Sequence, residues 1–136
     1  MRASNKPNKP NKTPKPTAAE LELLRALWER GPATVGQIHE AQGRKGTGYT
    51  TTLKVLQRMT EKGLVLRDES QRSHVYRAAI AAEKTQRQLV RDLLQRAFGG
   101  SPGQLVVQAL SEKKASAEEL ATIRQLLDEM ENKPKP

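Results

Sequence analysis

A chain of 136 residues, 35% hydrophobic and 29% charged, is long enough for one domain or two small ones with a real core, and its lack of cysteine removes disulfides, thiolate metal sites and cysteine nucleophiles together. The net charge of +9 is unevenly placed: residues 1–16 carry five basic and no acidic side chains and residues 43–77 eight basic and three acidic, whereas 17–42 are net acidic and the remainder nearly balanced. A positive tail plus one positive folded stretch is the pattern of a polyanion binder.

The opening MRASNKPNKPNKTPKP repeats Lys, Pro and Asn with almost nothing apolar to bury, so residues 1–16 are expected to be disordered. Met1 leads into this tract and not into an apolar signal, and no later apolar run is long enough for a membrane span, so a cytoplasmic location is expected. Order begins at Thr17, because TAAE matches a capping box in which threonine caps the helix and Glu20 reaches back. Leu21, Leu24, Leu27 and Trp28 follow at helical spacing, and Gly31-Pro32 stops the element. A short extended piece, PAT, leads to a second possible box from Thr34 to Gln37. It opens a short helix through Val35, Ile38 and Ala41, which Gly43, Gly46 and Gly48 break. The third helix covers roughly 49–62 and ends at Gly63. The period then changes: LVLRD and HVYRA are β-rich runs joined by the polar stretch ESQRS, which predicts a hairpin. Three helices and a ribbon form a winged helix-turn-helix pattern over 17–81.

From about residue 82 the chain is helical again. Leu89, Val90, Leu93, Leu94, Ala97 and Phe98 form one stripe. SPGQ at 101–104 restarts a helix carrying Leu105, Val106, Ala109 and Leu110, and SAEE at 116–119 introduces Leu120, Ile123, Leu127 and Met130. Three short amphipathic helices struggle to bury all their apolar faces on one another, so 82–132 is expected to dimerise with a second copy, with 133–136 disordered. The candidate dimerisation residues are Leu89, Leu93, Leu105, Leu110, Leu120, Ile123 and Leu127.

The third helix sorts its residues at about 100° per step. Tyr49, Thr52, Leu53, Val55, Leu56 and Met59 fall on a core side; Thr47, Thr50, Thr51, Lys54, Gln57, Arg58 and Glu61 fall opposite. An ordinary solvated face would prefer Glu, Lys, Gln and Ala for propensity, and threonine is a mediocre helix former. Small hydroxyls let a helix approach a groove closely and donate to phosphate or base edges, and long cations reach guanine O6/N7 or phosphate. Thr50, Thr51, Lys54 and Arg58 are therefore the candidate DNA contacts, with Arg72 at the wing tip a phosphate or minor-groove candidate. The bland alternative has Thr50 capping the helix and the wing a solvated turn. Tyr76 is expected in the core.

Catalytic chemistry finds no foothold. His39 and His74 lack a metal-ligand companion at i+3 or i+4, GRKGTG reads as a turn between helices, and Glu118 and Glu119 suit the positive end of a helix dipole. No cofactor and no catalytic or metal site is expected. The rivals to a sequence-specific repressor are a non-specific architectural DNA binder and a winged helix used for protein contact, which would place apolar residues on the outer face of the third helix.

Through ELELLRALWERGPATVGQI, YTTTLKVLQRMTEKGLV, RSHVYRA and LVVQALSEKKASAEELATIRQLLDE, residues 17–132 resemble the BlaI/MecI/CopY-type family of penicillinase-repressor-like regulators. The resemblance implies a homodimer whose winged helices each bind half of a palindromic operator while the C-terminal helices dimerise. It carries the recognition-helix contacts onto Thr50, Thr51, Lys54 and Arg58. Members that answer β-lactams are cut, on a signal from a membrane sensor protease, within a segment reading like VLNF, which implies an inducing protease as partner. Here that segment is VVQA, with Gln108-Ala109 in place of Asn-Phe. Copper-responsive members use a C-terminal cysteine cluster, which this chain does not have.

Overall fold

A computed structural model describes residues 14–42 and 48–132; the expectations for 1–13, for the glycine-rich turn with Thr47, and for 133–136 lie outside these residues. Helix α1 (Ala18–Arg30) starts at the predicted box: the Glu20 N–H donates to Thr17 Oγ1 at 3.2 Å and the Thr17 N–H to Glu20 Oε1 at 2.9 Å. Gly31, at φ 93°, ends it. Residues Ala33–Thr34 form a two-residue strand, β1, and Val35–Gln42 form α2 behind a second reciprocal box. There the Thr34 N–H donates to Gln37 Oε1 at 2.9 Å and the Gln37 N–H to Thr34 Oγ1 at 3.2 Å.

Helix α3 (Tyr49–Lys62) begins at Gly48, with no side-chain cap hydrogen bond among the described residues, so Thr50 does not serve as its cap. It ends in a Schellman turn. Gly63 sits at φ 82°, its N–H donates to the Thr60 carbonyl, and the Leu64 N–H reaches back to Met59 O at 2.9 Å. Strands β2 (Val65–Asp68) and β3 (Val75–Ala78) are the two arms of the wing, paired antiparallel with Arg67 opposite Tyr76 and Leu66 opposite Arg77. The ribbon gains a third member, since β1 pairs with β3 through Ala33 opposite Tyr76, giving the sheet order β1-β3-β2. The core lies between the helices and this sheet: Leu23, Leu24 and Leu27 of α1, Ile38 of α2, Leu56 and Met59 of α3, Leu64, Val65 and Tyr76 are all buried. Trp28 closes its edge, its Nε1–H donating to the Ile80 carbonyl at 2.9 Å.

Three more helices follow, α4 (Ala82–Ala97), α5 (Pro102–Glu112) and α6 (Ala117–Asn132). Ser101 caps α5 ahead of Pro102, and Ser116 and Glu119 form a third reciprocal box at the start of α6. The chain divides into two compact units between Val90 and Arg91, within α4. The first unit holds the buried core; α5 and α6 contain no buried residue. The chain is thus mainly α, with a winged helix-turn-helix followed by a helical C-terminal region.

Candidate nucleic-acid interface

The three consecutive threonines of α3 point three ways, because each helical step turns the side chain by about 100°. Thr50 faces outward with Lys54, Gln57, Arg58 and Glu61, all exposed. Thr51, also exposed, stands on the flank towards α1, where it lines a shallow cleft with Ala19, Glu22 and Leu23. Thr52 turns inward, 2% exposed, and its Oγ1 hydrogen-bonds His39 Nδ1 of α2 at 3.1 Å. That bond ties the two helices of the helix-turn-helix together. His39 thus has a hydrogen-bond partner in α3, and its sequence signal was only a polar pair spanning two elements.

Thr50, Lys54 and Arg58 form one continuous polar stripe with no apolar side chain in it. Among the described residues neither Lys54 nor Arg58 forms an ion pair. Two long cations held in no ion pair, one turn apart and flanked by a small hydroxyl, can meet phosphates or guanine edges without first breaking a bond. The protein-contact reading requires an apolar outer face here; the exposed residues are polar and cationic.

Arg72 is exposed in the loop joining β2 and β3. Arg67, on strand β2, is engaged. Arg67 pairs with Glu69 at 2.5 Å, and its guanidinium is held above its usual value first by a hydrogen bond with Tyr76 and then by Glu69. The Asp68 carboxylate accepts the Ser70 N–H at 2.9 Å, which holds it below the usual range and folds the start of the loop. Arg72 forms no ion pair among the described residues. It shares a cleft of about 380 Å³ with Ser73, His74, Tyr49, Leu53 and Thr34. Tyr49 corrects the helical-wheel expectation: it is 52% exposed, not core. The wheel placed it on the core side, but in the first turn of α3 it borders the cleft towards the wing, with the His39 ring beside it. Tyr76 is buried as expected.

Of the C-terminal candidates, Leu93, Leu110 and Leu127 are exposed and Leu89, Leu105, Leu120 and Ile123 half-buried. Leu126, Val107 and Met130 join them, the last two 65% exposed. Gln108 and Ala109 lie in the middle of α5, both exposed. Among the described residues there is no group of His, Cys, Asp or Glu that could hold a metal, and no helix long and apolar enough to cross a membrane.

The chain is similar in sequence to known regulators. The chain is 33% identical over 114 residues to the transcriptional regulator BlaI of Mycobacterium tuberculosis, covering 82% of each protein, and 24% identical over 125 residues to the penicillinase repressor of Bacillus licheniformis, covering 91% of this chain and 98% of that one. Among solved structures, the transcriptional regulator Tm0710 from Thermotoga maritima superimposes with a TM-score of 0.44 at 17% identity, over 88% of this chain and 80% of that one. The family model described as penicillinase repressor matches residues 16–129, and the chain belongs to that family.

Proposed function

We propose that the chain is a homodimeric repressor of transcription. Each winged helix takes one half of a palindromic operator, and the C-terminal helices join the two copies. Membership of a repressor family sets it among regulators and not enzymes, and the names borne by its relatives, transcriptional regulator and penicillinase repressor, point the same way. The single observation that carries the DNA-binding assignment is the outer face of α3, where exposed Thr50, Lys54 and Arg58 stand opposite buried Thr52, Leu56 and Met59. The inner side anchors the helix in its domain; the outer side offers hydroxyls and unpaired cations to a groove. Arg72 extends that surface to the sugar-phosphate backbone or minor groove. Thr51, on the flank, reaches the edge of the same groove.

Lys54→Ala with Arg58→Ala tests this. Each good bidentate base contact contributes about 1–3 kcal/mol of discrimination, so the double variant should lose most preference for an operator over random duplex while circular dichroism and sedimentation stay as in the parent. Unaltered preference removes these residues from the site. A preference that survives in the parent at high salt distinguishes a repressor from an architectural protein, whose affinity rests on counterion release alone.

A further inference from the structure

The cleft between α3 and the wing contains an arrangement that the recognition-helix reading leaves unused. Tyr49 is a large aromatic left 52% exposed at the first position of α3. It is not loose. The His39 ring stands edge-on to it, centroids 6.3 Å apart and planes at 73°, within the range of a favourable aromatic pair. His39 is in turn fixed by its 3.1 Å hydrogen bond to the buried Thr52 hydroxyl. An exposed ring thus has its orientation set by a half-buried one whose own orientation is set by the core. Tyr49 opens onto the cleft lined by Arg72, Ser73, His74 and Thr34, and no carboxylate lies among the described residues that line it. Hydroxyls, an imidazole and a guanidinium with no carboxylate in the described lining form surroundings suited to an anion.

We infer that Tyr49 is a further DNA contact of this chain, its phenol donating to a backbone phosphate that enters the cleft between α3 and the wing beside Arg72, and that His39 is a positioning residue acting through it. The inference rests on the DNA-binding reading of α3. Tyrosine serves this task well because its two side-chain torsions lose little entropy on binding and its hydroxyl reaches past the helix to a phosphate. A contact of this kind fixes where α3 sits along the duplex without reading sequence.

The test uses the full chain with a random-sequence duplex and an operator duplex, each at two salt concentrations. Tyr49→Phe removes one hydrogen bond to an anionic phosphate, which by the usual net worth of bonds to charged groups should weaken binding by about ten- to hundredfold on both duplexes alike. The salt slope should not change, since a neutral hydroxyl displaces no counterion. His39→Gln, which can still bond Thr52 but presents no ring, should weaken binding in the parent chain and have no effect in the Tyr49→Phe background, a non-additivity that a merely structural role would not produce. Should His39→Gln lower the thermal midpoint, His39→Asn, whose amide stands where Nδ1 stands, keeps the Thr52 bond without a ring and should show the same non-additivity. Parent-like binding by Tyr49→Phe overturns the phosphate contact, and additive losses overturn the positioning role of His39. If Lys54→Ala and Arg58→Ala leave discrimination untouched, the reading of α3 itself fails; if they abolish it while Tyr49→Phe binds like the parent, only this inference does.

Discussion

Glu20 shows how much one side chain can be asked to do. It is 0% exposed, it completes the box that starts α1, and its Oε1 accepts a 2.7 Å bond from Lys62 Nζ at the far end of α3. Burial pushes its carboxyl up, but the Lys62 and Thr17 hydrogen bonds and the lysine charge outweigh this and hold it below the ordinary value of 4.5. A carboxyl lowered on folding stabilises the protein fully above its unfolded value and ceases to do so as the pH falls through the folded value beneath it. Lys62→Ala leaves a buried carboxylate without its charge partner, a change that costs on the order of 3 kcal/mol. Urea midpoints should fall accordingly, and acid unfolding should begin at higher pH than in the parent. Glu20→Gln, leaving a lysine that can reach solvent, should be milder at neutral pH and nearly insensitive to mild acid. The half of this site that spans Thr17 to Glu20 was readable because a capping box lies within four consecutive residues; Lys62 was not, because nothing in a linear pattern joins positions so far apart. Tyr49 escaped for a related reason, since a wheel reports the angle of a side chain and not whether anything covers it.

Among the elements, α3 is the one whose two ends matter most to the proposed DNA contact. Its length was legible because a run of apolar positions at helical spacing stops at a glycine, and Gly63 at φ 82° is the residue that lets the chain turn directly into β2. A Cβ built there meets nothing within 4 Å, so the cost of Gly63→Ala is purely that of a left-handed backbone. That cost is about 1 kcal/mol, to be read as a lower denaturation midpoint with operator preference retained at saturating protein. Strand β1 was seen only as an extended piece, because two residues cannot display a period of two; its pairing with β3 is decided by the wing folding back over it. That Thr50 does not cap α3, by contrast, could not have been guessed from a run of threonines.

At the scale of the whole molecule, apolar side chains such as Val107 and Met130, each 65% exposed, are more than a stable soluble surface ordinarily presents without a partner. A chain ending at Val90 should sediment as a monomer and bind the operator far more weakly than the parent, because the second half-site would no longer be held at high effective concentration. Dimeric sedimentation of that fragment would move the interface into the first unit. A second measurement is a thermal midpoint that rises with concentration for the full chain and stays constant for the fragment. The apolar stripes of α4, α5 and α6 were readable as helices, but periodicity says only that a face is oily, never what lies against it. Thr85, 1% exposed in α4, belongs with the first unit although it stands beyond the start of the helical region.

The reciprocal boxes at α1, α2 and α6 repeat one device. Each is complete within four neighbouring residues, so none depends on the tertiary fold for its two bonds. Nascent helix in the denatured ensemble should therefore gather at these three starting points, and amide hydrogen exchange in mild denaturant should find the N–H groups of Glu20, Gln37 and Glu119 slower than those of the uncapped first turn of α3. The segment proposed to face the duplex would then be the last of these helices to order and the first to loosen, free to complete its opening turn against DNA.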